Sequence, residues 1–281
     1  MAAQELRPMK IGDILDVTFR LYRQRFFTFL LIALVVYVPY ALLMASFSPF
    51  EVAPQPVIPR EGAPNEVQFQ ELSLAMGANA TAMVLQFCGM AVFLIILIPL
   101  CSAALVQNIS ASYLGENLSA GQSYARAAPR LLGLIGTQIL VGLVVLVGFI
   151  LCLVPGIIFS LWFLVIAPVV ILEGKAGPSA MGRSRELMRG NLDKGFILAF
   201  VVGILSFIIA WALGMLTALV PWLHPAAAVF VQNLVQAIIV PIQTAPWILL
   251  YYDLRIRKEA FDLQKLAETL GRPAAGGPAA T

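Results

Sequence analysis

The sequence predicts an all-α integral membrane protein of six transmembrane helices in three hairpins, each hairpin preceded by a cytoplasmic amphipathic helix. Three observations predict it. Of 281 residues, 60% are hydrophobic and 12% charged, with a mean hydropathy of +0.89, where soluble domains carry about a quarter charged residues. Six apolar runs are each long enough to approach or exceed a hydrocarbon core of about 30 Å. The basic residues also fall almost wholly on one side of those runs.

The spans in order are Phe26 to Phe47, about 76 to 108, Leu131 to Val154, Ile157 to Leu172, Phe196 to Leu219, and Ala226 to Tyr252. The second is long enough to tilt or protrude, and the fourth is short. Spans three and four meet at Pro155-Gly156, a turn dipeptide with almost no polar residue around it. A tight helical hairpin is expected there.

Residues 1–10 form an N-terminal tail, and 11–258 the membrane domain with an extracytoplasmic loop at 48–75. Residues 259–270 are an amphipathic C-terminal segment. The remaining 271–281, rich in Ala, Gly and Pro, are expected to be disordered.

Of the 18 lysines and arginines, Arg60 alone lies on the side that holds the 48–75 loop. The positive-inside rule then places both termini in the cytoplasm. Each odd-numbered span follows a short stretch of helical periodicity: Ile11 to Arg25, Ser119 to Arg130, and Pro178 to Asn191. Ser119-Ala120-Gly121-Gln122 has the spacing of a capping box, in which serine and glutamine side chains satisfy free helix amides. Such basic helices either anchor the bundle or read anionic headgroups, each cation contributing about 1 kcal/mol near the leaflet. The candidate lipid or partner contacts are Arg20, Arg23, Arg183, Arg185, Arg189, Arg255, Arg257 and Lys258. Nucleic acid is excluded as a partner, because the cations are split among four segments with acids between them.

The six span cores contain no Asp, Glu, Lys, Arg or His, with Glu173 and Asp253 counted at the span ends. A proton relay through the bundle is therefore not expected. Neutral polar residues do occur. Gln232, Gln236 and Gln243 share one face of span six, Gln86 lies on span two and Gln138 on span three. They either bond helices together or line a lipid or solute path. Pro99, Pro168, Pro241 and Pro246 lie within or near the ends of spans, where they kink helices or mark discontinuities.

Cys88, Cys101 and Cys152 sit in apolar runs without metal-ligand spacing and read as small core residues. His224, between spans five and six, reads as an interfacial anchor. No phosphate-binding glycine loop, HExxH or GxSxG motif is present. The rim acids have neighbours that explain them, Arg20 for Asp16 and Arg257 for Asp253, each at i,i+4. Neither an enzyme nor a cofactor is expected.

Three stretches carry a family resemblance. They are Ile11-Gly12-Asp13-Ile14-Leu15-Asp16 with Phe19-Arg20-Leu21-Tyr22-Arg23; Pro168 to Gly174 with Ala180 and Arg183-Ser184; and Leu250-Tyr251-Tyr252-Asp253-Leu254-Arg255-Ile256-Arg257-Lys258-Glu259. Together they resemble the glycerophosphoryl diester phosphodiesterase membrane domain, with Asp16, Glu173, Arg183, Ser184, Tyr252, Asp253 and Arg255 as motif positions. The resemblance implies a bacterial multi-pass inner-membrane protein linked to phospholipid or glycerophosphodiester metabolism. It does not imply catalysis, since a catalytic barrel needs about 250 further residues. Two functions follow as expectations: a non-catalytic scaffold or accessory protein with a membrane or cytoplasmic protein partner, or a permease or lipid translocator using the neutral polar path.

Overall fold

The computed structural model describes residues 9–47, 83–218 and 224–271. The 48–75 loop, the start of span two, the turn at 219–223 and the tail from 272 lie outside the described residues. Among the described residues the regular structure is helical. Six helices are long and apolar enough to cross a membrane, which makes the chain a multi-pass membrane protein by length and composition.

Helix α1 (Ile11–Phe47) joins the first amphipathic stretch to the first span through a kink, its backbone being otherwise helical. Its one departure is Arg25 (φ −123°, ψ 22°), at the expected boundary between the two. Helix α2 (Met83–Tyr113) contains a π turn at Phe93–Leu97, in which the Ile98 N–H reaches back to the Phe93 carbonyl. Pro99 explains the widened turn, because it has no N–H and its ring crowds the carbonyl four residues earlier. Phe93 stacks on Tyr40 at 3.6 Å between ring centres and meets Tyr37 edge-on, tying α2 to α1.

Helix α3 (Ala120–Ala127) opens on the full capping box, with Ser119 Oγ accepting from the Gln122 N–H and Gln122 Oε1 from the Ser119 N–H. Helix α4 (Leu131–Leu151) then runs to Cys152, the one extended residue (φ −174°, ψ 158°) before α5 (Leu153–Trp162). The turn therefore lies at Cys152, not at Pro155-Gly156. Proline is tolerated in a first helical turn, where its missing N–H would have no intrahelical partner. Gly156 instead lets α4 and α5 touch, since a Cβ there would meet the Phe149 ring at 2.5 Å.

Span four is discontinuous. Helix α5 ends at Trp162, residues 163–165 form an open turn, and Ile166–Pro168 leads into a π turn at Val169–Glu173. Pro168 again has no N–H for the Leu164 carbonyl, so the opening falls one turn before it. Gly174 closes the span at φ +73°, a left-handed conformation that glycine adopts without cost. Arg130 Nη1 and Gln107 Nε2 donate to the Ile171 carbonyl left free by this ending.

Helix α6 (Pro178–Met188) precedes α7 (Leu192–Ala218), and α8 (Pro225–Gly271) completes the bundle. At 47 residues, α8 is about 70 Å long, well beyond a bilayer, and carries the expected C-terminal segment as an unbroken continuation of span six. Its helical assignment passes through Pro241 and Pro246 without interruption.

Helices α1 and α8 form the most extensive pairing in the bundle. They run antiparallel: Tyr22 donates to the Ile238 carbonyl at 3.0 Å, and Met9 meets Asp253. Hydropathy does not specify this contact between the first and last spans. The core is continuous through Ile14, Phe29, Ile32, Leu105, Ile109 and Ile248. By contrast, Leu132, Ile150 and Phe207 point outward, 70–83% exposed, as suits side chains facing lipid tails.

Candidate functional site

Charged side chains converge where α8 leaves its apolar stretch. From Tyr251 to Glu259 the sequence puts Tyr251, Arg255 and Glu259 on one helical stripe and Asp253 and Arg257 on another. The spacing is four residues within each stripe. The two stripes serve two different clusters.

The first cluster centres on Asp253, which is fully buried. Its Oδ1 accepts the Met9 N–H at 2.6 Å, Lys194 Nζ reaches Oδ2 at 2.5 Å, and Arg257 Nε lies 3.0–3.1 Å from both oxygens. Lys194 Nζ and Arg257 Nη2 also donate to the Met9 carbonyl, at 2.6 and 3.0 Å. One carboxylate and two cations thus hold both backbone groups of Met9. A groove of about 350 Å³ lies beside them, lined in part by Lys10, Asn191 and Asp193.

The second cluster joins the end of span four to α6 and α8. Glu173 accepts from Arg183 Nε at 3.1–3.2 Å, from Lys175 at 3.1 Å and from the Tyr251 hydroxyl at 3.1 Å. Arg183 also pairs with Glu186 and with Glu259, at 3.3 and 2.9 Å. Burial works against the Arg183 charge, yet its hydrogen bonds to Glu173 and Glu186 outweigh that and raise its pKa above the ordinary arginine value. Arg255 binds Glu259 at 2.8 Å. Ser184 Oγ donates to the Trp162 carbonyl at 2.7 Å, filling the opening in span four, and the Arg185 guanidinium lies 4.2 Å over the Trp162 ring. Lys258 Nζ donates to the Glu186 carbonyl. Beside this cluster Tyr252 bonds Ser110 of α2.

No family model matches the chain, and no curated protein or solved structure matches it.

Of the motif positions, Glu173 and Arg183 meet directly, with Arg255 one residue away through Glu259. Asp253 forms a separate centre, and Ser184 and Tyr252 each bond a neighbouring element. Asp16 departs from expectation: it is exposed and forms no ion pair with Arg20, although both line the same open groove. Arg257 does pair with Asp253, as its spacing suggests. Arg20, Arg23, Arg185 and Arg189 have no carboxylate partner among the described residues.

The glutamines do not converge on one another by hydrogen bonding. Gln243 donates to Ser206 of α7 at 2.9 Å. Gln232 is exposed, and Gln138 and Gln236 are half-buried; none of the three forms a hydrogen bond among the described residues. Gln86 is half-buried and engaged. Of the three cysteines expected in the core only Cys101 is buried; Cys88 is exposed on an apolar helix surface and Cys152 at the turn between α4 and α5. His224 Nδ1 accepts the Ala226 N–H at the start of α8.

Sequence reasoning missed Lys194, Tyr251 and Met9 as members of these clusters. Lys194 was visible as a cation just before an apolar run. Met9 acts through its backbone and leaves no trace in residue type.

Proposed function

We propose that this chain is a non-catalytic multi-pass scaffold or accessory protein of a bacterial inner membrane, with both termini cytoplasmic. The reading extends the resemblance to the glycerophosphoryl diester phosphodiesterase membrane domain and its link to phospholipid metabolism. Its six spans follow one another in the chain as three hairpins, each entered from a basic amphipathic helix on the cytoplasmic leaflet, where anionic lipids and a protein partner are met.

The observation that carries this reading is the employment of Glu173 and Asp253. Each is committed to cations and backbone or tyrosine donors from three separate parts of the chain. That arrangement suits a rigid end from which α8 projects as a helix to Gly271. Native mass spectrometry of the tagged protein, extracted gently from its own membranes, tests it. The expected result is a stoichiometric protein partner lost on deletion of 260–281. A spectrum with no protein partner would overturn it.

A second reading, a permease or lipid translocator, draws on the opening at residues 163–165 in span four, since discontinuous helices can border transport cavities. Flux through reconstituted vesicles should then fall when Gln232, Gln236 and Gln243 become leucine. Unchanged flux would count against it.

A further inference from the structure

Exposed side chains of α1 form a strip on either side of the kink at Arg25. From the N-terminal end outward it presents Asp16, Phe19, Arg20, Arg23 and Gln24, then Phe27, Leu31 and Val35. The first five line an open groove of about 530 Å³. The opposite face, with Ile14, Val17, Thr18 and Leu21, is buried in the bundle.

The order of chemistry along this face matters. Arg20 and Arg23 sit one turn apart and have no carboxylate partner among the described residues. Just beyond the kink at Arg25, Phe27 is 80% exposed, and Leu31 and Val35 continue the apolar surface. Paired guanidiniums suit a phosphate, which accepts several charge-assisted hydrogen bonds. The apolar run that follows suits an acyl chain. A free phosphate would engage the arginines alone, whereas a phospholipid can engage both the arginines and the apolar run. The carboxylate of Asp16, one turn above Arg20, can accept hydrogen bonds from headgroup hydroxyls. With one acid against two cations, the groove keeps a net positive charge and favours an anionic headgroup.

We propose that this face of α1 is a binding site for one anionic phospholipid, its phosphate between Arg20 and Arg23 and an acyl chain along Phe27, Leu31 and Val35. The inference rests on the basic end of the bundle lying at a leaflet surface. It is independent of whether a protein partner docks on α8.

The test titrates delipidated full-length protein in detergent with phosphatidylglycerol, phosphatidylethanolamine or inorganic phosphate, reading bound lipid by native mass spectrometry. Phosphatidylglycerol should be retained preferentially and survive excess inorganic phosphate. The double variant Arg20→Gln with Arg23→Gln should weaken its retention by roughly tenfold or more, since each cation near an anionic headgroup contributes about a fivefold factor. Lys10→Gln with Arg126→Gln, which removes the same charge elsewhere, should leave it within about twofold of the parent. Equal retention of the two lipids, equal loss in the two double variants, or displacement by phosphate would overturn the proposal. A missing protein partner in the native extract would bear on the scaffold reading alone.

Discussion

The carboxylate of Asp253 accepts the backbone N–H of Met9 at 2.6 Å, joining residues 244 positions apart at one end of the bundle. Lys194 and Arg257 bind the same carboxylate and also the Met9 carbonyl. The first and last spans are thereby closed onto each other, and the start of α7 is fixed to both.

Asp253→Ala should be among the most damaging single changes in the chain. It leaves the largely buried Lys194 ammonium without its carboxylate, and breaking a buried pair in this way costs about 3–5 kcal/mol. Thermal unfolding in detergent, followed by scattering-corrected tryptophan fluorescence, should show a fall of many degrees. A shift of one or two degrees would mean that the cluster is exposed in solution.

Glu173→Gln and Lys175→Gln should differ although the two residues are ion-paired. Glu173 serves Arg183, Lys175 and Tyr251 together, and its loss should cost about 1–3 kcal/mol. Lys175 is 46% exposed, and its contribution should stay below about 1 kcal/mol. Chemical denaturation of the two variants side by side reads the difference.

Gly156→Val should separate α4 from α5. The added Cβ would lie 2.5 Å from the Phe149 ring, and overpacking of this kind costs about 1–3 kcal/mol. Gly136→Ala on the same pair of helices has nothing within 4 Å and should be neutral or slightly stabilising. If both variants unfold alike, the close approach of α4 and α5 is wrong.

The sequence showed the helical class and the number of spans, because both follow from composition and from run length. It also showed the Ser119 capping box and the Asp253–Arg257 pair, since these lie within one helix and depend on local spacing. The turn at Cys152 was not legible: Pro155-Gly156 is a stronger turn signal, and only the packing of Gly156 on Phe149 reveals its other purpose. The pairing of α1 with α8 was not legible either, as every apolar helix face is equally content with lipid. Asp16 and Arg20 have helical spacing, but on an exposed face water competes for both charges and no pair forms. Met9 contributes only an amide and a carbonyl, which every residue other than proline possesses.

The charged run of α8 is assigned here the task of holding the bundle's ends together, and a double-substitution cycle on Asp253 and Lys194 tests that most directly. Unfolding free energies are measured for the parent, Asp253→Leu, Lys194→Met and the double variant. A direct bond should appear as a coupling of about 1–3 kcal/mol, the double variant being less damaged than the sum of the single ones. Strict additivity of the two substitutions would contradict it.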